Sequence, residues 1–190
     1  MHDPLGNERM PRLDCGAAVL RPWQMDDLDS LVASANDESV SRGLRDRFPY
    51  PYSGDDGRAW LAYAVRASEP LWALEIDGAA VGGVSLHPGS DVHRHAAELG
   101  YWLAQRYWNR GVMSRVIAEF APRAMRAYGL YRLYAAVYEG NPSSCRVLEK
   151  CGFVHEGVNK SAVVKRGRLL DLHMYARTVP ALPGEAGHAA

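Results

Sequence analysis

The run Ala96-Ala-Glu-Leu-Gly-Tyr-Trp-Leu103 reads as a strand, and after Ala104-Gln-Arg-Tyr-Trp-Asn-Arg-Gly111 the apolar period turns helical at Val112-Met-Ser-Arg-Val-Ile117. A strand that passes through a glycine turn into a helix start commits the chain to sheet and helix sharing one core. The turn also has the makings of an anion hole. Backbone amides at a helix start have no intrahelical partner, the helix dipole adds positive character, and Arg106 and Arg110 add two cations. An ordinary strand-to-helix connection with solvated arginines fits the same residues equally well, because one glycine turn is weak evidence.

At 190 residues, 47% of them apolar, the chain suits one domain with a sizeable core. Polar, proline-bearing residues at 1–14 and the aperiodic stretch 179–190 read as loose tails, which leaves 15–178 as the folded unit. With 22 basic and 22 acidic residues the formal charge is zero, so nucleic acid is not expected as a partner. Cys15, Cys145 and Cys151 are an odd set without CxxC spacing, which fits a reduced, cytoplasmic setting better than disulfides or zinc. His93 and His95 lack a third nearby ligand, so no metal is expected. No run is long enough to span a bilayer, and the first residues lack the basic and apolar regions of a signal peptide.

Strands are expected at 17–23, 71–76, 80–86, 96–103, 131–138, 153–162 and 168–176, with Asp77-Gly78 as a hairpin turn. Helices are expected at 25–35, 37–44, 58–68, 111–128, bent near Ala118 by Pro122, and after Asn141-Pro142, an N-cap followed by proline at the first helical position. This order predicts an α/β domain with a largely antiparallel central sheet flanked by helices. Between the second and third helices, Arg45-Asp-Arg-Phe-Pro-Tyr-Pro-Tyr52 is an extended loop whose Phe48, Tyr50 and Tyr52 either line a substrate pocket or cover the core.

Four blocks in order carry a resemblance: Ala97 to Leu103, Tyr107 to Arg115, Val137 to Phe153, and Glu156-Gly157. Together they resemble the Gcn5-related N-acetyltransferase (GNAT) superfamily, and within it the RimJ/RimL-type branch that acetylates N-terminal amines of ribosomal proteins. The resemblance implies acetyl-CoA binding at Tyr101, Trp102, Leu103, Arg106, Arg110, Gly111, Val112, Met113, Ser114, Asn141 and Ser144. The family's phosphate loop usually reads Gln/Arg-x-x-Gly-x-Gly/Ala; here Trp108 and Met113 depart from it, so Trp108 must point away from the cofactor and backbone amides must bind the phosphates.

Acetyl transfer to an amine needs a neutral amine, a donor for the developing oxyanion and a proton for the thiolate. Glu98 is the candidate base, though pairing with an arginine is as natural for a strand glutamate. Backbone amides near Tyr101 and Trp102, freed by a bulge at Gly100, are the expected oxyanion donors, and Ser144 the expected acid. An α-amine of pKa about 7.8 is about a seventh neutral at pH 7, whereas lysine is neutral at a few parts in ten thousand, a difference of about 3.5 kcal/mol. The first expectation is therefore a peptide or ribosomal-protein N-terminus as acceptor, for a monomer or homodimer. A small amine, amino acid or antibiotic is the alternative, as is a non-catalytic acyl-CoA-binding module. An open groove between the Phe48–Tyr52 loop and the Arg166-Gly167 hairpin favours a peptide; a closed pocket with an acidic group favours a small amine.

Overall fold

The computed structural model describes residues 10–179. Eight strands form one sheet in the order β1-β2-β3-β4-β5-β6-β8-β7. They are β1 (Leu13–Asp14), β2 (Val19–Pro22), β3 (Leu71–Ile76), β4 (Ala79–Pro88), β5 (Ala96–Leu103), β6 (Arg132–Tyr138), β7 (Val154–Lys165) and β8 (Arg168–Thr178). Every neighbouring pair is antiparallel except β5 and β6. The helices are α1 (Leu28–Ala35), α2 (Glu38–Arg42), α3 (Gly54–Ala64), α4 (Val112–Ala127) and α5 (Pro142–Lys150).

The chain's amphipathic pattern divides the helices between the two sheet faces. On one face α4 buries Val116, Ile117, Phe120 and Ala124 against Leu74, Leu86, Leu99 and Leu133, and Leu148 of α5 joins the same core. Opposite, Leu31 of α1 and Leu61 of α3 close a smaller core with Trp23, Leu71 and Ala73. Asn141 caps α5 as its residue type predicts, its side chain accepting from the Ser144 amide at 3.2 Å with Pro142 in the first turn. The α4 helix continues unbroken through Pro122.

Several boundaries differ from the sequence expectation: α3 ends at Ala64, β4 runs on to Pro88 and β7 to Lys165, and two further differences have a local cause. Helix α3 begins at Gly54, not Arg58, because Ser53 and Asp56 form a reciprocal capping box that turns Gly54-Asp-Asp-Gly into a first helical turn. At the N-terminus, residues 10–14 are not a loose tail: Met10 is buried, its carbonyl accepts from the Trp72 indole at 2.8 Å, and Leu13–Asp14 pairs with β2. The remainder of that stretch, and 180–190, lie outside the described residues.

The feature that positions everything else is the join between β5 and β6. Their parallel pairing covers only Ala96↔Arg132, Ala97↔Leu133 and Glu98↔Tyr134, after which the strands part. The β4–β5 ladder is regular from Pro88↔Ala97 to Gly82↔Leu103, so the bulge expected at Gly100 is absent. Backbone groups are freed instead by the divergence of β6. Ala104 N donates to Val81 on the β4 side, while His95 O accepts from Tyr131 on the β6 side. By the alternation of strand backbone groups, Leu99, Tyr101 and Leu103 therefore turn their amides and carbonyls toward the opening, whereas Trp102 turns its own toward β4.

Candidate active site

The opening between β5 and β6 is the mouth of a cleft of about 1540 Å³, lined by α2, both strand ends, the start of α4, the start of α5 and the β7–β8 hairpin. At one end stands the loop after β5. Gly111 has φ 72° and caps α4 from the left-handed region, with Asn109, also left-handed at φ 59°, two residues before it. An alanine Cβ at Gly111 would touch nothing in the protein, so the constraint there is backbone conformation and not crowding. Val112 and Met113 bury their side chains in the core under α4, leaving their backbone to the cleft. The first turn of α4 carries no acidic side chain.

Trp108 does not leave the cleft, as the sequence reading required, but is part of its lining: its indole donates to the Leu103 carbonyl at 2.7 Å, capping a group that the missing β6 partner leaves unpaired. The two arginines expected at this loop are placed elsewhere. Arg106 bonds the buried Ser34 hydroxyl of α1 at 3.0 Å, and its guanidinium lies 5.1 Å from the Tyr107 ring centroid, while that of Arg110 lies 5.9 Å from the same ring. Neither lines the cleft. An aromatic ring supplies the counter-surface that a phosphate was expected to supply.

Midway along the cleft Tyr101 reaches across from β5, and its hydroxyl lies 2.7 Å from Ser144 Oγ in the first turn of α5. Burial pushes the Tyr101 phenol well above the ordinary tyrosine value, so it keeps its proton. On the opposite sheet face, register brings Glu98 beside Tyr134 of β6 and His87 of β4. Both Glu98 oxygens accept from Arg45 Nη2, at 2.7 and 2.8 Å. Burial lowers the His87 pKa below the usual histidine value, and its Nε2 lies 3.1 Å from Ser85 Oγ. Beyond Glu98 the same face continues through Ala136 and Tyr138 of β6 to Leu170, Leu172 and Met174 of β8.

The far end is roofed. The hairpin between β7 and β8 is strapped to α2 and the loop after it by Lys165 on Asp46 at 2.7 Å and by Arg166 on Glu38 and Ser41, at 2.9 and 2.7 Å. Phe48, Tyr50 and Tyr52, expected to line a substrate pocket, do not reach the cleft. Phe48 packs on Tyr52 and Trp102 at ring separations of 5.1 and 5.3 Å, Tyr52 is buried in the smaller core with its phenol pushed up to about 12, and Tyr50 faces outward. Trp102 can lie flat over β4 because Gly83 has no Cβ; one there would meet its indole nitrogen at 2.9 Å.

A family model described as "Acetyltransferase (GNAT) domain" matches residues 18–154, which contain both sides of the opening. The chain belongs to the GNAT acetyltransferase family. It is similar to the uncharacterized N-acetyltransferase YoaA of Bacillus subtilis, 26% identical over 174 residues, which cover 90% of this chain and 98% of YoaA. Two solved structures share the fold. The ribosomal L7/L12 alpha-N-protein acetyltransferase RimL in complex with coenzyme A superposes with TM-score 0.79 at 20% identity over 88% of this chain and 98% of RimL. The microcin C7 self-immunity acetyltransferase MccE in complex with acetyl-CoA and AMP gives 0.78 at 16% identity over 90% and 97%.

This acetyltransferase is therefore an acetyl-CoA-dependent acyltransferase. Its cleft suits such a long, thin, anionic-headed molecule: unpaired amides line a slot between two strands, and one end meets a helix start free of carboxylates. Among the described residues no group of three or more His, Cys, Asp or Glu could hold a metal, and no helix is long and apolar enough to cross a membrane. Arg45, Tyr134 and Tyr138 line the site without having been singled out from sequence. Period-2 alternation in Tyr131 to Tyr138 already places the two tyrosines on one face.

Proposed function

We propose that the pyrophosphate of acetyl-CoA sits on the backbone amides of Gly111, Val112, Met113 and Ser114, and that the pantetheine arm runs between Tyr101 and Leu103 on one side and Asn141 and Ser144 on the other. The bound thioester supplies an activated acetyl group. Tyr101 N, turned into the opening, is the donor for the carbonyl oxygen. As the amine attacks and the C–N bond forms, its surplus proton passes to Glu98, directly or through water, and as the C–S bond breaks the leaving thiolate takes the Ser144 proton, which solvent restores. Gly111→Val tests the loop. A β-branched residue held at φ 72° costs about 1–2 kcal/mol, which weakens CoA binding about tenfold when the loop must leave its binding shape. Calorimetric titration with CoA reads this directly, and an unchanged affinity would remove the loop from the site.

We infer further that the acceptor is a small molecule with a primary amine, entering on the Glu98 face. The observation that carries this is the roof: the Lys165 and Arg166 straps cross the path by which a peptide chain would leave between the hairpin and the loop after α2. A peptide N-terminus is the second reading, favoured by the engagement of Glu98 with Arg45, since a base so occupied suits an amine that is already partly neutral. Names among the similar proteins point both ways, toward ribosomal protein for RimL and toward self-immunity for MccE. Three free cysteines suit a reducing, cytoplasmic setting. Thiol release from acetyl-CoA against amino acids, short peptides and ten-residue Ala- and Ser-starting peptides separates the readings. Turnover is expected on the short acceptors. Turnover confined to the long peptides would reverse the assignment, and none at all despite CoA binding would leave an acyl-CoA-binding module.

A further inference from the structure

The chain as a whole is neutral, yet its cleft is not. Seven lysines and arginines line it against two carboxylates, Glu98 and Glu139. Arg146 and Lys150 of α5 stand at the cofactor end, and Arg45 is spent on Glu98. At the acceptor end the supply of partners runs short. Glu38 serves both Arg166 at 2.9 Å and Arg42 at 3.7 Å, and Asp46 is taken by Lys165. Arg168 lines the cleft and pairs through its backbone with Lys165 in the β7–β8 register, while its side chain has no hydrogen-bond or ion-pair partner among the described residues. Because Lys165 reaches Asp46, the neighbour of Arg45, the hairpin carries Arg168 back toward the face that holds Glu98.

Between the two charged ends lie Leu170, Leu172 and Met174 on β8, flanked by Tyr138. Resting on the small-amine reading above, we propose that the acceptor carries an anionic group as well as its amine, and that Arg168 is the residue that selects it. An unpaired guanidinium in a cleft already rich in cations has a net field to offer an anion, and its planar fork suits a carboxylate. The amine then points to Glu98 and Tyr134, and the anion to the hairpin. A main-chain carboxylate and an acidic side chain share this chemistry.

Both sources are tested by calorimetric titration of the CoA-loaded protein with matched pairs whose amines sit in nearly the same surroundings. One pair is alanyl-leucine against alanyl-leucinamide; the other is alanyl-aspartamide with a free side-chain acid against alanyl-asparaginamide. In at least one pair the acid is expected to bind about tenfold more tightly than its neutral partner, the pair naming the source, and the advantage shrinks in high salt. Arg168→Gln should abolish the preference without changing CoA affinity, and Arg168→Lys should restore part of it. Equal binding within both pairs, no measurable binding of any acceptor, or a preference that survives Arg168→Gln overturns the proposal. Thiol release with the same pairs is read separately: a preference in binding without turnover overturns the acetylation of small amines and leaves the anion selection standing.

Discussion

Ser144→Ala is expected to lower turnover by about a hundredfold, the lower range of what a positioned acid contributes, while CoA affinity stays within about twofold of wild type. The expectation rests on the pair it forms with Tyr101. The Tyr101 hydroxyl is buried, its proton is held by that burial, and it stands 2.7 Å from Ser144 Oγ. When the phenol donates to Ser144 Oγ, the serine's own hydrogen is left to point into the cleft. The Ser144 amide is meanwhile tied to Asn141 Oδ1, so the first turn of α5 holds the hydroxyl at a fixed place. Tyr101→Phe removes the donor and frees the serine rotor, for which a fall of about tenfold in kcat with an unchanged KM for acetyl-CoA is expected, as for one neutral hydrogen bond. Steady-state kinetics beside CoA titration distinguish the outcomes. Unchanged kcat in Ser144→Ala would reduce Ser144 to a member of the α5 cap.

The largest stability effect is expected far from the cleft, at Arg21→Met. Arg21 on β2 is buried and donates to both oxygens of Asp27, at 2.9 and 2.6 Å, to Glu75 at 2.5 Å and to the Pro22 carbonyl at 3.0 Å. Asp27 is itself only 5% exposed. Its carboxylate also accepts from Gln24 N at 2.9 Å, so it fixes the turn that leads into α1. Methionine fills much of the arginine's volume but leaves Asp27 buried without its cation, a loss of about 3–5 kcal/mol. A urea titration should show the midpoint falling with little change in slope. Arg21→Met with Asp27→Asn is expected to cost less than the sum of the two single changes, because the second removes the stranded charge. Additive losses would mean that the two residues stabilise the protein independently.

What could be read from the residues depended on whether the cause was local. Strands β3 and β5 fall on the residues that apolar runs bounded by turn signals predict, and α5 begins where Asn141-Pro142 says it must. The start of α3 was missed because Gly-Asp-Asp-Gly looks like a turn unless Ser53 and Asp56 are seen as a reciprocal pair. In the site, Tyr101 and Ser144 were legible as candidates, but their contact joins residues 43 apart in sequence and only the fold reveals it. Arg106 and Arg110 lay in the right segment and turned the other way, since a ring and a buried serine compete with solvent for them. The freed amides of β5 were expected for a local reason, a bulge, and arise from a non-local one, the departure of β6. The hairpin straps connect residues more than a hundred positions apart, beyond the reach of any periodicity.

That departure of β6 has a thermodynamic side. Eight strands make one sheet on paper, but only three residue pairs join its two halves, β1 to β5 and β6 to β8, at the parallel seam. A molecule lying in the seam and bonding to both edges stands in for the ladder that is missing there. Its binding free energy is then also free energy of cohesion between the halves, raising stability by RT ln(1 + [L]/Kd). In the proposed binding mode the cofactor completes the sheet, and its binding adds to the cohesion that the shared core under α4 already gives the two halves.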